Sequence, residues 1–191
     1  MIGVGVEGPS DMEFWRKYLH RVFSGVRFDV RTLKNRAKLI AATPRLLETF
    51  RDVHYPAGII ILDIDKNPCV RDLLELFDVP VQREFRKPLG ERYLHLCVAV
   101  RKVECWFLAD AEAIKAVLPD VSYSAPNDTR LWGIGKLDRL WKQQYGEAAT
   151  LNKIDFAKRL APKFSADRAI GHSASLRIAW DRIKSAVART G

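Results

Sequence analysis

The chain has 191 residues, of which 48% are hydrophobic and 29% charged, with a formal net charge of +9. This composition is typical of a globular domain with a sizeable core, and no apolar run approaches the roughly 20 residues that cross a bilayer. The amino terminus MIGVGVEG lacks the features of a signal peptide, and the cysteines have no CxxC or zinc spacing. We therefore expect a cytoplasmic protein with reduced thiols and no membrane partner.

The positive charge is concentrated in the last third of the chain. Residues 130–191 hold thirteen Lys and Arg against five Asp and Glu, a net +8, whereas residues 55–129 are net −3. A basic region beside an acidic site favours a polyanionic partner, DNA or RNA, whose phosphates meet the acids through a metal ion. The alternative interpretation is a solvated helical surface.

The first part of the chain alternates predicted strands and helices. A short apolar strand ends at Glu7, and alternation over residues 26–30 indicates a second strand. Ser10 and Glu13 have the spacing of a capping box, which predicts a helix over 10–23 with Ser10 as its N-cap.

The middle of the chain contains the most apolar predicted strand. Residues 36–53 have a helical pattern, and we place Pro44 in the first turn of a helix capped by Thr43. Residues 58–63 are apolar without alternation, which indicates a strand covered on both faces, as in a parallel sheet. A helix near 69–77 follows.

The remaining predicted elements are mostly helical. Residues 82–92 are polar and predict a loop, and Asp110 is expected to cap a helix rather than to join a site. The other predicted elements are a strand over 94–100, a helix over 103–118, short helices near 136–145 and 155–161, and a final helix capped by Ser173 or Ser175.

This order of elements predicts an α/β fold with a mainly parallel sheet flanked by helices. We expect an α/β core over residues 1–118 and a basic helical extension over 119–191 that packs on it. Ligands of such sheets bind at the carboxyl ends of the strands. Four acidic residues fall at or just after predicted strand ends: Glu7, Asp63, Asp65 and Glu104.

Asp63 and Asp65 flank Ile64 where the buried strand stops. Alternate side chains of an extended segment share a face, so both carboxylates can point to one side. Mg²⁺ or Mn²⁺ would neutralise their repulsion, with Glu7 reaching the same ion from the neighbouring strand and Asp11 facing the same crevice. Taken singly, a DxD is often a loop or a cap, and Glu7 could simply favour the helix amino terminus that follows it.

Two segments then resemble a known family. Val6-Glu7-Gly8-Pro9-Ser10-Asp11 and Ile61-Leu62-Asp63-Ile64-Asp65 look like the signature of the Toprim domain, which topoisomerases, bacterial primases and overcoming-lysogenization-defect nucleases share. The stretches 101–110 and 172–176 look like those of small stand-alone bacterial Toprim-like proteins, often encoded beside an ATPase in phage-defence loci. The resemblance spans nearly the whole chain and implies a Toprim-like, Rossmann-like fold.

The resemblance also implies roles for individual residues. Glu7, Asp63 and Asp65 would bind Mg²⁺, and Asp11 and Glu104 would serve a second ion. Two metal ions suit phosphodiester hydrolysis. The chain lacks the tyrosine-bearing domain of topoisomerases and a Walker A segment, so any ATP-driven step needs a separate ATPase subunit.

Several further residues have open interpretations. Glu104 is either a ligand or a partner of Arg101 or Lys102. Among the basic residues, Lys158 is the candidate by resemblance for stabilising charge on the phosphate. The residues expected to contact nucleic acid are Arg101, Lys102, Lys158, Lys163 and Arg168; for Lys158 and Lys163 a solvated surface lysine is the favoured alternative. A Ser–His pair at His172 is another open candidate. Trp132, Trp141 and Trp180 could stack bases, although helical spacing favours core packing for Trp141 and Trp180.

The leading functional hypothesis is a metal-dependent nuclease, or the nuclease-like effector of an ATPase-linked defence complex. The alternative is a non-catalytic module that binds nucleic acid or protein and regulates an ATPase partner. Nucleotidyl transfer of the primase kind ranks third, because nothing resembles a template-handling domain. The sequence leaves the oligomeric state open, a homo-oligomer included.

Overall fold

The sheet of the computed structural model is four-stranded and entirely parallel, with the order β2-β1-β3-β4. The structure describes residues 1–64, 69–126 and 133–191. The predicted α/β fold with a parallel sheet is confirmed, and the arrangement is consistent with a Rossmann-like fold. The strands are β1 Ile2–Val6, β2 Phe28–Thr32, β3 Gly58–Asp63 and β4 Leu94–Ala99.

Helices cover both faces of this sheet, which explains why β3 is apolar without alternation. Ile59 and Ile61 face a cluster formed with β1, α1 and the carboxyl-terminal helices. Ile60 and Leu62 face a second cluster with α2, α3 and α4. All six residues of β3 are buried, so this strand is the centre of the fold. The helices are α1 Pro9–Val22, α2 Arg36–Asp52, α3 Val70–Leu74, α4 Val79–Arg86, α5 Val103–Phe107, α6 Ala111–Val117, α7 Ile134–Tyr145, α8 Lys153–Leu160, α9 Ala166–Ala169 and α10 Ala174–Ala188.

The glycines of β1 allow α2 to pack directly on the strand. A Cβ at Gly3 would lie 2.5 Å from ring atoms of Phe50, and one at Gly5 would lie 2.9 Å from Cδ1 of Ile60. Val4 and Val6 point to the other face and join the opposite cluster. The glycine–valine alternation at the amino terminus is therefore a packing requirement of the central sheet.

Two of the predicted helix starts are wrong. Helix α1 begins at Pro9, and its N-cap is Gly8, whose N–H donates to Asp11 Oδ2 at 3.2 Å. The capping interaction thus lies two residues before the one predicted at Ser10. Pro44 lies inside the continuous helix α2, which is capped by Asn35.

The polar stretch 82–92 was predicted as a loop, but α4 covers its first part. Only Val81, Glu84 and Phe85 of this helix are buried, a narrow stripe hidden among charged residues. The helix predicted over 103–118 is divided into α5 and α6, and Asp110 caps α6 by accepting from Ala113 N–H at 3.2 Å. The prediction of Asp110 as a cap is confirmed.

The helices that follow α6 pack on the same face of the sheet as α1. α8 packs along α1 and α10 lies across β4, and their apolar side chains join one cluster with β1 and β3. Ser173 caps α10 by accepting from Leu176 N–H at 3.4 Å. Among the described residues, none of the helices is long and apolar enough to cross a membrane.

Candidate metal centre

The carboxyl edge of the sheet carries a cleft of about 230 Å³ lined by acidic and basic side chains. Its position follows from the topology, because parallel strands β1, β3 and β4 all end there. The acidic residues that line it are Glu7, Asp11, Asp63 and Glu104, and the basic ones are Lys34, Lys102 and Lys153. Residues separated by nearly 150 positions in sequence thus meet in one cleft.

Glu7 and Asp63 are joined directly where β1 and β3 end. The backbone N–H of Asp63 donates to Glu7 Oε1 at 2.7 Å, and Thr32 at the end of β2 donates its hydroxyl to the Glu7 carbonyl at 3.1 Å. The Glu7 side chain therefore crosses from its own strand to the adjacent one. Three neighbouring strand ends are fastened to each other around this residue.

Asp11 lies in the first turn of α1 and lines the same cleft, as expected. Its Oδ2 accepts from Gly8 N–H. Burial, followed by repulsion from Glu104 and a smaller contribution from Glu7, raises the pKa of Asp11 to about 7, although the Gly8 hydrogen bond opposes the shift. A carboxyl group with this pKa is half protonated near neutral pH when no cation is bound.

Asp63 is the most buried acid of the cleft, with 8% of its surface exposed. Its Oδ1 accepts from Val103 N–H at 2.7 Å, and Oδ2 lies 3.4 Å from the Lys102 ammonium. Burial and then repulsion from Glu7 and Glu104 raise the pKa of Asp63 to about 8, despite the opposing charge of Lys102. The site therefore concentrates more negative charge than its own lysines neutralise.

Glu104 pairs with a lysine that was not expected to reach it. Lys153, the first residue of α8, places its ammonium 2.9 Å from Glu104 Oε1. Glu104 had been assigned either to a metal or to Arg101 or Lys102; Lys102 instead contacts Asp63. Each of these two lysines thus occupies part of the space between the carboxylates.

The structure separates the basic residues that were expected to act together. Arg101 follows β4 with a left-handed φ of 73° and is exposed, and Lys102 lines the cleft. Lys158 and Lys163 are exposed and do not line the cleft among the residues described. Arg168 forms a bidentate ion pair with the buried Asp110 carboxylate, to which it donates through Nε at 2.9 Å and Nη2 at 2.7 Å. This ion pair belongs to the fold.

Other expected residues take structural positions or lie outside the description. Asp65 and Trp132 are outside the described residues. Trp141 and Trp180 are buried, as expected for core packing. His172 Nδ1 lies 2.9 Å from the Pro126 carbonyl.

Two cleft residues, Lys34 and Lys153, were missed in the sequence. Neither follows an acidic or apolar motif, and each reaches the cleft because of how the β2–α2 turn and the start of α8 pack. Asn152 caps α8 and was a signal in the sequence that could have placed Lys153 at a helix amino terminus.

The four carboxylates of the cleft suit a hard divalent cation, which prefers oxygen ligands. A bound cation would also lower the raised pKa values of Asp11 and Asp63. Among the described residues, however, no three acidic, His or Cys side chains are already arranged around one ion position. Lys102 and Lys153 hold carboxylate oxygens that an ion would need. The residues that could hold the metal are therefore Glu7, Asp63, Asp11 and Glu104. The ion would replace the lysine contacts of Asp63 and Glu104.

Comparisons of the chain with protein-family models, with curated proteins and with solved structures find no match. The geometry of the cleft is therefore the structural basis for a function.

Proposed function

We propose that the protein is a divalent-metal-dependent phosphodiesterase of Toprim type that cleaves nucleic acid in the cytoplasm. The observation that carries this proposal is the meeting of four carboxylates from β1, α1, β3 and the start of α5 in one cleft at the carboxyl edge of a parallel sheet. The resemblance of the Glu7 and Asp63 segments to the Toprim signature supports the same site. A separate ATPase subunit is proposed as its partner.

In this function Glu7 and Asp63 would hold the catalytic Mg²⁺ or Mn²⁺, and Asp11 and Glu104 would hold a second ion. Such an ion supplies a Lewis acid for the phosphate oxygen and lowers the pKa of water. The chain holds the carboxylates for this task through the N–H groups of Asp63, Val103 and Gly8. These bonds fix the acids before substrate arrives, so little reorganisation is needed.

The lysines of the cleft have a part in the same reaction. The Lys153 ammonium lies at Glu104, and it would be available to a phosphate oxygen if Glu104 held a cation. Lys102 stands in the same relation to Asp63. Negative charge grows on the phosphate oxygens during hydrolysis, and a fixed ammonium nearby stabilises it.

A cleavage assay with a matched control tests the proposal. Purified protein is incubated with single-stranded DNA, plasmid and transfer RNA in Mg²⁺ or Mn²⁺. We expect cleavage by the wild type and by Asp181→Ala, whose exposed side chain pairs only with Lys184 among the described contacts, and none by Asp63→Ala. Cleavage that survives Asp63→Ala would count against this site, and no cleavage by wild type with its ATPase partner present would count against the function.

A non-catalytic binding module is the second candidate. The observation that favours it is the contact of Lys102 with Asp63 at 3.4 Å and of Lys153 with Glu104 at 2.9 Å, because these lysines occupy carboxylate oxygens that a metal would need. Such a module would bind a labelled oligonucleotide equally well with EDTA and in Glu7→Ala. The nuclease predicts that Mn²⁺ binding, measured by calorimetry, is lost in Glu7→Ala.

A further inference from the structure

Lys34 lines the acidic cleft from the side opposite to Lys102 along the sheet edge. It follows β2, and the strand order β2-β1-β3-β4 places its turn at one end of the row that continues through Glu7 and Asp63. Lys102 and Glu104 follow β4 at the other end. Three strand spacings of about 4.8 Å each separate the two ends, roughly 14 Å. The row of acids is therefore flanked by a cation on each side.

The three cleft lysines differ in what they contact. Lys102 lies 3.4 Å from Asp63, and Lys153 lies 2.9 Å from Glu104. The side chain of Lys34 is exposed and makes no ion pair with any carboxylate of the described residues. Its positive charge is thus available to an incoming anion without the loss of an internal contact.

The backbone of Lys34 is held in a conformation that side chains rarely adopt. Its φ is 74°, a left-handed value that costs a non-glycine residue about 1–2 kcal/mol. Its N–H donates at 3.4 Å to the hydroxyl of Thr32, which in turn donates to the Glu7 carbonyl. Arg36 anchors the other side of the turn by donating to the Ile64 carbonyl at 2.8 Å. The turn is therefore fixed to the ends of both β1 and β3.

A turn that needed only its shape would be less strained with glycine at this position. Strained residues persist where the surrounding structure fixes them, often at binding sites. At position 34 the strained residue is also a cation that faces the cleft. These two facts together point to a ligand contact for the side chain.

We propose that Lys34 contacts a phosphate of the nucleic-acid substrate next to the phosphate that reacts. This inference rests on the proposed function and adds a substrate-binding residue to it. Lys102 and Lys153 are held at Asp63 and Glu104, whereas Lys34 lines the same cleft from the β2 end of the sheet edge.

The test compares Lys34→Ala with Lys17→Ala, an exposed lysine two turns along α1 from the cleft. With a labelled single-stranded oligonucleotide, we expect Lys34→Ala to raise KM about tenfold at unchanged kcat. It should also lower the slope of log affinity against log salt by about 0.7, the value for one phosphate on a single strand. Lys34→Arg should restore most of the affinity, and Lys17→Ala should match the wild type.

Two further measurements distinguish loss of the phosphate contact from a change in backbone strain and from a change in catalysis. Lys34→Gly relieves the backbone strain, so it should raise the melting temperature. It should also weaken substrate binding as Lys34→Ala does. A gain in stability with unchanged KM would overturn the inference. Fluorescence anisotropy of the oligonucleotide, in EDTA, tests the contact without catalysis. If the wild type binds but does not cleave, the proposed function fails while the Lys34 contact is still measured. Equal affinity and equal salt slope in wild type and Lys34→Ala would refute the contact, and so would absence of binding by the wild type.

Discussion

The side chain of Glu7 accepts a hydrogen bond from the backbone N–H of Asp63 at 2.7 Å. This bond links the ends of β1 and β3, so Glu7 supports the fold as well as lining the cleft. The two functions of this residue can be separated by substitution, because glutamine keeps an acceptor oxygen and alanine keeps none.

Glu7→Gln should stabilise the metal-free protein and abolish Mn²⁺ binding. It removes one charge that repels Asp63 and Asp11 but can retain the bond to Asp63 N–H. Glu7→Ala should be less stable than Glu7→Gln by about 1–3 kcal/mol, because the buried N–H loses its acceptor. Thermal and urea unfolding in EDTA measure both effects, and calorimetry measures the metal. Equal stability of the two variants would contradict the role of the bond.

The metal-free protein should lose stability as pH rises towards 8. The folded-state pKa values of Asp11 and Asp63, about 7 and about 8, lie above the ordinary value of 3.8. Folding therefore favours the protonated forms; this stability is fully present below pH 3.8 and is lost as pH rises through the folded values.

The stability difference between Asp63→Asn and wild type isolates this effect from other titrations. In EDTA we expect the stability of the variant relative to the wild type to increase as pH rises from about 4 to 8, since asparagine does not ionise. Melting temperatures across this range check it. A difference that is independent of pH would show that Asp63 titrates normally, and saturating Mn²⁺ should reverse the wild-type loss.

Lys153, and not Lys158, should be the cation needed for cleavage. Lys153 lies 2.9 Å from Glu104, whereas Lys158 is exposed five residues further along α8. We expect Lys153→Ala to lower kcat about 10²-fold, as for loss of one group that stabilises developing charge. Lys158→Ala is its control on the same helix. If Lys158→Ala had the larger effect on kcat, the assignment would be reversed.

Arg168 should matter more to stability than to nucleic-acid affinity. Its guanidinium is bound in a fork to Asp110, whose side chain has no exposed surface. Arg168→Ala leaves this buried carboxylate with fewer donors and should cost about 1–3 kcal/mol of unfolding free energy. Lys163→Ala, at an exposed neighbour, should change stability by no more than about 0.5 kcal/mol. Urea unfolding of both variants gives the answer, and similar values for the two would refute it.

Gly3→Ala should destabilise the sheet, because its Cβ would lie 2.5 Å from the ring of Phe50. Overpacking of this kind costs about 1–3 kcal/mol. Gly135→Ala is the matched control: its added methyl meets no atom within 4 Å, and alanine favours the helix by about 0.5–1 kcal/mol. The free energy of unfolding, measured with urea, should therefore fall for Gly3→Ala and rise for Gly135→Ala. An unchanged free energy of unfolding for Gly3→Ala would contradict this prediction, because it would mean that the Phe50 ring can shift without loss of packing.

The sequence predicted those parts of the fold and cleft that follow from local pattern. The unalternated run of β3 predicted a parallel sheet, and the ends of β1 and β3 predicted that Glu7 and Asp63 would meet. The Ser10 cap was wrong because Gly8 and Asp11 offered an earlier start at Pro9. α4 was missed because its buried stripe is narrow.

The contribution of Lys34 and Lys153 could not have been predicted in this way. Lys153 reaches Glu104 only because α8 packs along α1, a contact with no counterpart in hydrophobic periodicity. Lys34 depends on a left-handed turn between β2 and α2, where a lysine gives no signal of its own. Tertiary packing, and not spacing along the chain, decides which of many basic residues line the cleft.

The order of the cleft residues along the chain has a consequence during synthesis. Glu7 and Asp63 leave the ribosome before Val103, which donates its N–H to Asp63, and Val103 leaves before Lys153. A nascent chain that ends before α8 thus carries the acids without the ammonium that pairs with Glu104. The complete cleft therefore forms only after α8 has been translated, because Lys153 follows all the acidic residues of the cleft along the chain.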